Sequence, residues 1–289
     1  MKIVQIIGGL GNQLFQYAFG IALHHETGDQ ILFDKTWFDK THTTPRAYHL
    51  DKYNTNISLA TKHQISWMQK PLYLRITNPI RAFFHIKKQK RVRHEKHTIV
   101  YCPELFTFRG NQYYNGYYQC ENYFKKYRDE ILNNFKLIVP LDAKNTEMLK
   151  HIKNTNSVSL HVRRGDYVRL ADSFGLCSLD YYKNAIKHIA THVKNPHFFL
   201  FSDDLDWVLK NLKIDFPFTA VDINHGDTEY FDLELMRNCQ HNIIANSTFA
   251  WWGAWLNTNP NKIVIAPDPW LLSIPHSDIV PPEWVKIKM

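Results

Sequence analysis

The sequence predicts an α/β protein built on parallel sheets with helices on both faces, and two observations carry that prediction. The first thirty residues run strand, Gly-rich turn, helix, with a second strand just after, and after residue 156 short apolar strands alternate with helix-like segments. Strands that are apolar throughout, rather than on alternate residues, belong in a sheet buried on both faces.

In the first block Lys2 to Ile7 forms the strand and Gly8-Gly9-Leu10-Gly11 the turn. Asn12 to Thr27 forms the helix, with Leu14, Ala18, Ile21 and Ala22 at helical spacing, until Gly28 stops it. Ile31-Leu32-Phe33 is a second strand. From about residue 40 to 155, aromatics, prolines and a basic segment break the regularity, and no alternation is assigned. The later strands are Val158 to Val162, Phe198 to Phe201, Phe218 to Val221, Asn242 to Ala245 and Lys262 to Ala266. The helices between them are Leu179 to Val193, Leu205 to Leu212, Thr228 to Cys239 and Phe249 to Leu256. The predicted division is residues 1–155 and 156–289, with a basic and aromatic insertion over about 64–125.

With 289 residues, 44% of them hydrophobic and 21% charged, the composition excludes a disordered chain, a collagen or a small disulfide scaffold. The net charge of +8 arises from 35 Lys and Arg against 27 Asp and Glu. Nine of the bases (Lys70, Arg75, Arg81, Lys87, Lys88, Lys90, Arg91, Arg93, Lys96) and one acid (Glu95) lie in a single segment, leaving 26 of each sign elsewhere. A charge so localised argues against a protein-wide nucleic-acid surface. Trp67, Tyr73, Phe83, Phe84 and Ile86 are interleaved with these cations, and two readings stand: a solvated basic loop, the commoner explanation, or peripheral contact with an anionic membrane leaflet. Cys102, Cys120, Cys177 and Cys239 form no Cys-x-x-Cys pair and read as reduced thiols. The opening apolar run is too short for a signal peptide or a span, so the expected location is cytoplasmic.

In parallel α/β sheets ligands sit beyond the carboxyl ends of the strands. Along Ser157 to Asp166, His161 and Arg163 share the face opposite Val158, Leu160 and Val162. Arginine's planar fork matches a phosphate or carboxylate bidentately, so Arg163 and Arg164 at a strand end suggest an anionic ligand. The competing reading is a structural salt bridge to Asp166. In Asn242 to Gly253 a strand meets a hydroxyl-bearing turn and an aromatic helix, where Ser247 or Thr248 would cap the helix and help to bind an anion. Most such caps bind nothing. Phe201-Ser202-Asp203-Asp204-Leu205-Asp206 spells a D-x-D, but acids at a helix start are more often caps than metal ligands. The opening Gly turn lacks the third glycine of a dinucleotide fingerprint, which disfavours a dehydrogenase, although it lets backbone and Asn12 approach a ligand. The aromatics and amides from Arg109 to Phe124 read either as a sugar-stacking surface or as core.

Five blocks together resemble the inverting α-1,2-fucosyltransferases of glycosyltransferase family 11. They are Gly8-Gly9-Leu10-Gly11-Asn12-Gln13-Leu14-Phe15-Gln16-Tyr17-Ala18; Gly116-Tyr117-Tyr118-Gln119 with Glu121-Asn122-Tyr123-Phe124; His161-Val162-Arg163-Arg164-Gly165-Asp166; Phe201-Ser202-Asp203-Asp204; and Asn246 to Leu256. The resemblance implies a GT-B-like fold of two Rossmann-like lobes, residues 1–155 on the acceptor side and 156–289 binding GDP-fucose. It implies inversion at the fucose, a galactoside acceptor such as lactose, and neither cofactor nor metal. By carry-over, Arg163 holds the β-phosphate, His161 contacts the guanosine, Ser247, Thr248 and Phe249 line the phosphate and base pocket, and Asn12 lies near the bond being made. Gly9, Gly11, Arg164, Ser202, Asp203 and Asn242 complete the expected donor site, with Asn242 a departure from an Asp in some relatives. Asp166 is the candidate general base. The alternatives are a GDP-fucose transferase of other regiospecificity, such as α-1,6, and a noncatalytic sugar-binding protein.

Overall fold

The computed structural model describes residues 1–42, 44–69, 91–95, 98–170 and 174–289. They form two compact units, Met1–Lys136 and Leu137–Met289. Each is an all-parallel sheet with helices on it, as predicted.

The first unit holds β1 (Lys2–Gln5), α1 (Leu10–Thr27), β2 (Ile31–Asp34), α2 (Lys62–Gln69), β3 (Val92–His94), β4 (Gln112–Asn115) and α3 (Arg128–Asn134). The strand order is β2-β1-β4-β3. Gly28 ends α1 in the left-handed conformation (φ 67°), its N–H donating to the His24 carbonyl. Helix α1 is buried around most of its circumference because aromatics meet it on several sides. Phe19 stacks on Tyr118 with ring centroids 3.9 Å apart, and Tyr17 lies between Phe33 and Phe135. Tyr113, Tyr114, Tyr118, Tyr123 and Phe124 are all buried, so these aromatics of the segment read alternatively as a sugar platform are core. Two of them sit in β4, a strand the sequence did not announce.

The second unit holds α4 (Ala143–Lys153), β5 (Asn156–Val162), α5 (Leu179–His192), β6 (Pro196–Ser202), α6 (Leu205–Asn211), β7 (Phe218–Ala220), α7 (Glu229–Arg237), β8 (His241–Ile243), α8 (Thr248–Leu256), β9 (Val264–Asp268) and β10 (Val285–Lys288). The predicted boundary at 155/156 moves to 136/137, because α4 packs on β5 and α7 and belongs with the second sheet. Asp142 starts α4 by accepting from the Asn145 N–H at 2.8 Å. The order β10-β9-β8-β5-β6-β7 puts β5 at the centre, buried at every residue but Asn156. The chain runs outward from β5 to β6 and β7, then crosses back to β8 on the other flank. The gap beyond β5 and β8 is thus the topological switch point, where helices depart in opposite directions and leave a crevice. Helix α8 is buried almost all round by Trp251, Trp252 and Trp255, and Trp251 Nε1 donates to the Ile279 carbonyl at 2.7 Å.

No helix among the described residues is long and apolar enough to cross a membrane. Most of the basic segment, residues 70–90 and 96, lies outside the described residues, and the membrane-contact reading with it.

Candidate active site

Parallel pairing of β5 with β6 from Asn156↔Pro196 to Val162↔Ser202 brings the sequences after the two strands side by side. Arg163 Nη1 meets Asp203 Oδ2 at 2.9 Å, and Asp203 Oδ1 accepts the Arg164 N–H at 2.9 Å. Arg164 Nε meets Asp204 Oδ2 at 3.0 Å, its guanidinium 3.6 Å from the Trp207 ring centre. These partners come from the neighbouring strand end; the side chain of Asp166 lies outside the described residues, and so do both its expected salt bridge and its role as base. Asp204 also caps α6 by accepting from the Trp207 N–H, and Ser202 Oγ accepts from the Asp204 N–H at 3.0 Å. The first carboxylate of the D-x-D is therefore engaged by a helix cap and a guanidinium. Among the described residues no group of three or more His, Cys, Asp or Glu is arranged to hold a metal ion.

Gly165 permits this packing, since a Cβ there would lie 2.5 Å from Asp203 Oδ2. Gly165→Ala must push Asp203, and Arg163 with it, out of place. A steady-state assay should show kcat/KM lower by about 10- to 100-fold with the melting temperature nearly unchanged. An unchanged rate would mean that the Asp203–Arg163 geometry does not matter to turnover.

His161 is buried with Nδ1 unpartnered. Burial is the main force lowering its pKa to about 4; nearby Asp203 opposes this and Arg163 adds to it. The imidazole is neutral at physiological pH, suited to hydrogen bonding. On the opposite side of the crevice, the Phe249 ring centre lies 6.3 Å from that of His161. Ser247, one of the two expected capping residues, occupies the N-cap of α8 in extended backbone, but its side chain makes no capping bond. The turn is held instead by Asn246, to which the sequence reading gave no role: its buried amide donates to the Phe174 and Gly175 carbonyls, and its backbone carbonyl accepts from Tyr167 Oη at 3.1 Å.

Asn242, expected to bind donor, is a core residue. Its Nδ2 donates to Ser159 Oγ at 2.7 Å and to the Met236 carbonyl at 3.0 Å, and its Oδ1 accepts from Asn257 at 2.8 Å. No polar atom is left for a ligand. The bond to Met236 also puts α7 on the face of the sheet carrying Ser159 and, by alternation, His161. On that helix lies a carboxylate that the sequence reading did not single out. Asp232, near the start of α7, accepts from Asn224 Nδ2 at 2.7 Å, and burial pushes its pKa up to about 7. In sequence it reads as one more acid on a helix.

The first unit has its own carboxyl edge. Gly8 adopts φ 79° and a Cβ on it would lie 2.7 Å from Asn12 Nδ2, so the turn tolerates only glycine there. The Gly9 carbonyl accepts from the N–H groups of Asn12 and Gln13, and Gly11 lies buried in the first turn of α1. Gln13 and Gln16, quoted from the sequence only within the opening block, are buried clamps. Gln13 Nε2 donates to the Gly8 and Ala47 carbonyls while its Oε1 accepts from the His49 N–H. Gln16 accepts from the Ile7 N–H and donates to the Gly116 carbonyl. Asn12 Oδ1 accepts from Gln119 Nε2 at 2.9 Å.

The family model described as glycosyl transferase family 11 matches residues 1–288. The chain is 33% identical to an alpha-1,2-colitosyltransferase of Escherichia coli, over 99% of this chain and 98% of that protein. It is 25% identical to the galactoside 2-alpha-L-fucosyltransferase Sec1 of Mus musculus, over 99% of this chain and 74% of that protein. Among solved structures, the fucosyltransferase NodZ from Bradyrhizobium matches with a TM-score of 0.50 and 17% identity, covering 87% of this chain and 91% of that one, a likeness of fold. A family match across nearly the whole length, joined to a full-length relative at one third identity, establishes that the chain belongs to glycosyl transferase family 11.

Proposed function

We propose that the protein transfers L-fucose from GDP-β-L-fucose to the 2-hydroxyl of a terminal galactoside, with inversion, forming an α-1,2 linkage. The observation that carries this reading is the switch-point crevice of the second unit, where Arg163 and Arg164, a neutral His161 and the start of α8 converge. As the fucosyl ring becomes oxocarbenium-like, negative charge collects on the β-phosphate of the departing GDP. Arg163, the Ser247 and Thr248 hydroxyls and the N–H groups at the start of α8 stabilise that charge. His161 and Phe249 hold the guanosine. Asp232 offers a carboxylate, the group that matches the adjacent N–H donors on the edge of guanine.

Since protonation removes that acceptor, binding of GDP-fucose, whose phosphates do not titrate near neutrality, should weaken severalfold from about pH 8 to pH 6. Asp232→Asn should bind more weakly and show no such slope in calorimetry. A wild-type affinity that is flat across this range removes Asp232 from the base site.

Turnover should persist undiminished in EDTA, because guanidinium and backbone N–H groups neutralise the pyrophosphate that a divalent ion would otherwise bridge. Loss of turnover on chelation, restored by Mn²⁺, would overturn the arginine-based donor site.

A second reading keeps the linkage and changes the sugar, and the colitosyltransferase relative favours it. Colitose is fucose without its 3-hydroxyl, so the two donors differ at one group. A site that hydrogen-bonds the 3-hydroxyl rejects the deoxy sugar by as much as about 10⁴-fold, whereas a merely apolar wall discriminates weakly. The deciding experiment is competition between the two GDP-sugars over a panel of galactosides, with NMR of the product. A 6-linked product would point to the α-1,6 alternative. Galactoside binding with neither GDP affinity nor turnover would point to a sugar-binding protein.

A further inference from the structure

At the carboxyl edge of the first sheet a half-buried acid fills a backbone nest. Glu95 follows β3, its own N–H donating to the Asn115 carbonyl at 3.1 Å. Its carboxylate accepts from the Tyr117 N–H at 2.7 Å and, through both oxygens, from the Tyr118 N–H at 3.0 Å. Successive N–H groups turned to one side, with the second residue left-handed, form a concavity for an anion, and Tyr118 has φ 54°. A bulky residue rarely adopts that conformation. Here it is over-determined, with the Tyr118 ring buried on Phe19 and the turn gripped from several sides. Gln16 Nε2 donates to the Gly116 carbonyl, and a Cβ on Gly116 would lie 2.6 Å from Glu95 Cβ.

The turn aims the residue that follows it. Gln119 donates its N–H to the Thr98 carbonyl and its side-chain amide to Asn12 Oδ1, while Asn12 Nδ2 lies over Gly8. A turn so constrained at Tyr118, a conformation that costs stability, points to a function for what it holds. What it holds is the orientation of the Asn12 amide.

We propose that Glu95, as the acceptor that fills this nest, is a positioning residue for the transfer step, setting Gln119 and through it Asn12. The proposal rests on the transfer reaction proposed above and on the role near the new bond that the family resemblance implies for Asn12. A carboxylate suits the task because it presents two acceptor oxygens to two neighbouring N–H groups. Glutamine presents one, and turns an N–H₂ toward the same donors.

The test uses Glu95→Gln, which keeps size and shape, with Gln119→Glu as a second variant that replaces the donor facing Asn12 by an acceptor. Wild type is first shown to bind GDP by calorimetry and to turn over GDP-fucose with lactose. Both variants should bind GDP within about twofold of wild type, keep KM for GDP-fucose and lose kcat by about 10- to 100-fold. The discriminating measurement is a cycle with Asn12→Ala: if Glu95 acts through Asn12, the double variant is no slower than Asn12→Ala alone, whereas independent effects multiply. Multiplying losses, or an unchanged kcat in a folded Glu95→Gln or Gln119→Glu enzyme, overturn the proposal. Wild-type kcat in Asn12→Ala overturns both the proposal and the role of Asn12. A wild type that neither binds GDP nor turns over GDP-fucose overturns the functional reading beneath them.

Discussion

Arg163→Lys should lower kcat/KM by at least about 100-fold, close to 3 kcal/mol of transition-state stabilisation, while leaving the protein folded. The guanidinium carries five N–H donors in a rigid plane, so Nη1 can stay on Asp203 at 2.9 Å while other donors face a phosphate. An ammonium is a single point with no second edge. Lysine must either remain on Asp203, withdrawing charge from the leaving group, or leave it and abandon an acid whose other oxygen holds the Arg164 N–H. Both outcomes cost turnover, and the loss should fall on kcat more than on KM, since charge on the β-phosphate peaks in the transition state. Calorimetry with GDP and steady-state kinetics with GDP-fucose measure the two parts. Near-wild-type turnover in folded Arg163→Lys would remove the donor site from this crevice.

How much of this was legible in the sequence follows the physics of burial. In the second unit the strands are central and apolar throughout, and β5 to β9 lie within one or two residues of their predicted places. The sequence did not announce β3 because Val92-Arg93-His94 is short, polar and at the sheet edge. It left β4 open because Tyr113 and Tyr114 are equally at home in a core or under a sugar. Helix α4 has few apolar residues in Ala143–Lys153, so its membership in the second unit came only from the fold. That Arg163 and His161 share one face at a strand end was readable, because strand alternation alone puts them there. Asp232, Gln13 and Gln16 were not, since nothing local distinguishes a buried amide or acid on a helix from a solvated one. Asn242 failed in the opposite direction, a residue given a ligand by analogy whose every polar atom is committed to the protein.

Asn242→Leu should therefore give the reverse of Arg163→Lys, with stability lost and donor affinity kept. Leucine has the heavy-atom count and branching of asparagine but larger methyl groups, so the cost joins tighter packing to lost hydrogen bonds and leaves no cavity. It takes their partner from Ser159 Oγ and one Asn257 N–H and leaves the Met236 carbonyl with the longer Cys239 N–H bond at 3.3 Å, in a place where Asn242 has no exposed surface and water cannot substitute. At about 1–3 kcal/mol for each buried group left unpaired, partly recovered where Ser159 and Asn257 find other partners, the expected loss is about 3–5 kcal/mol. For a unit of this size that lowers the melting temperature by roughly 10 °C or more. Below that transition the crevice is intact, because Asn242 spends its bonds on β5, α7 and the residue after α8 and lends none to Arg163, His161 or Phe249. GDP affinity measured at low temperature should then stay within about twofold of wild type, corresponding to less than 0.5 kcal/mol. An Asn242→Leu protein that melts like wild type but binds GDP weakly would return the residue to the donor site and show that its three internal bonds give way to the ligand.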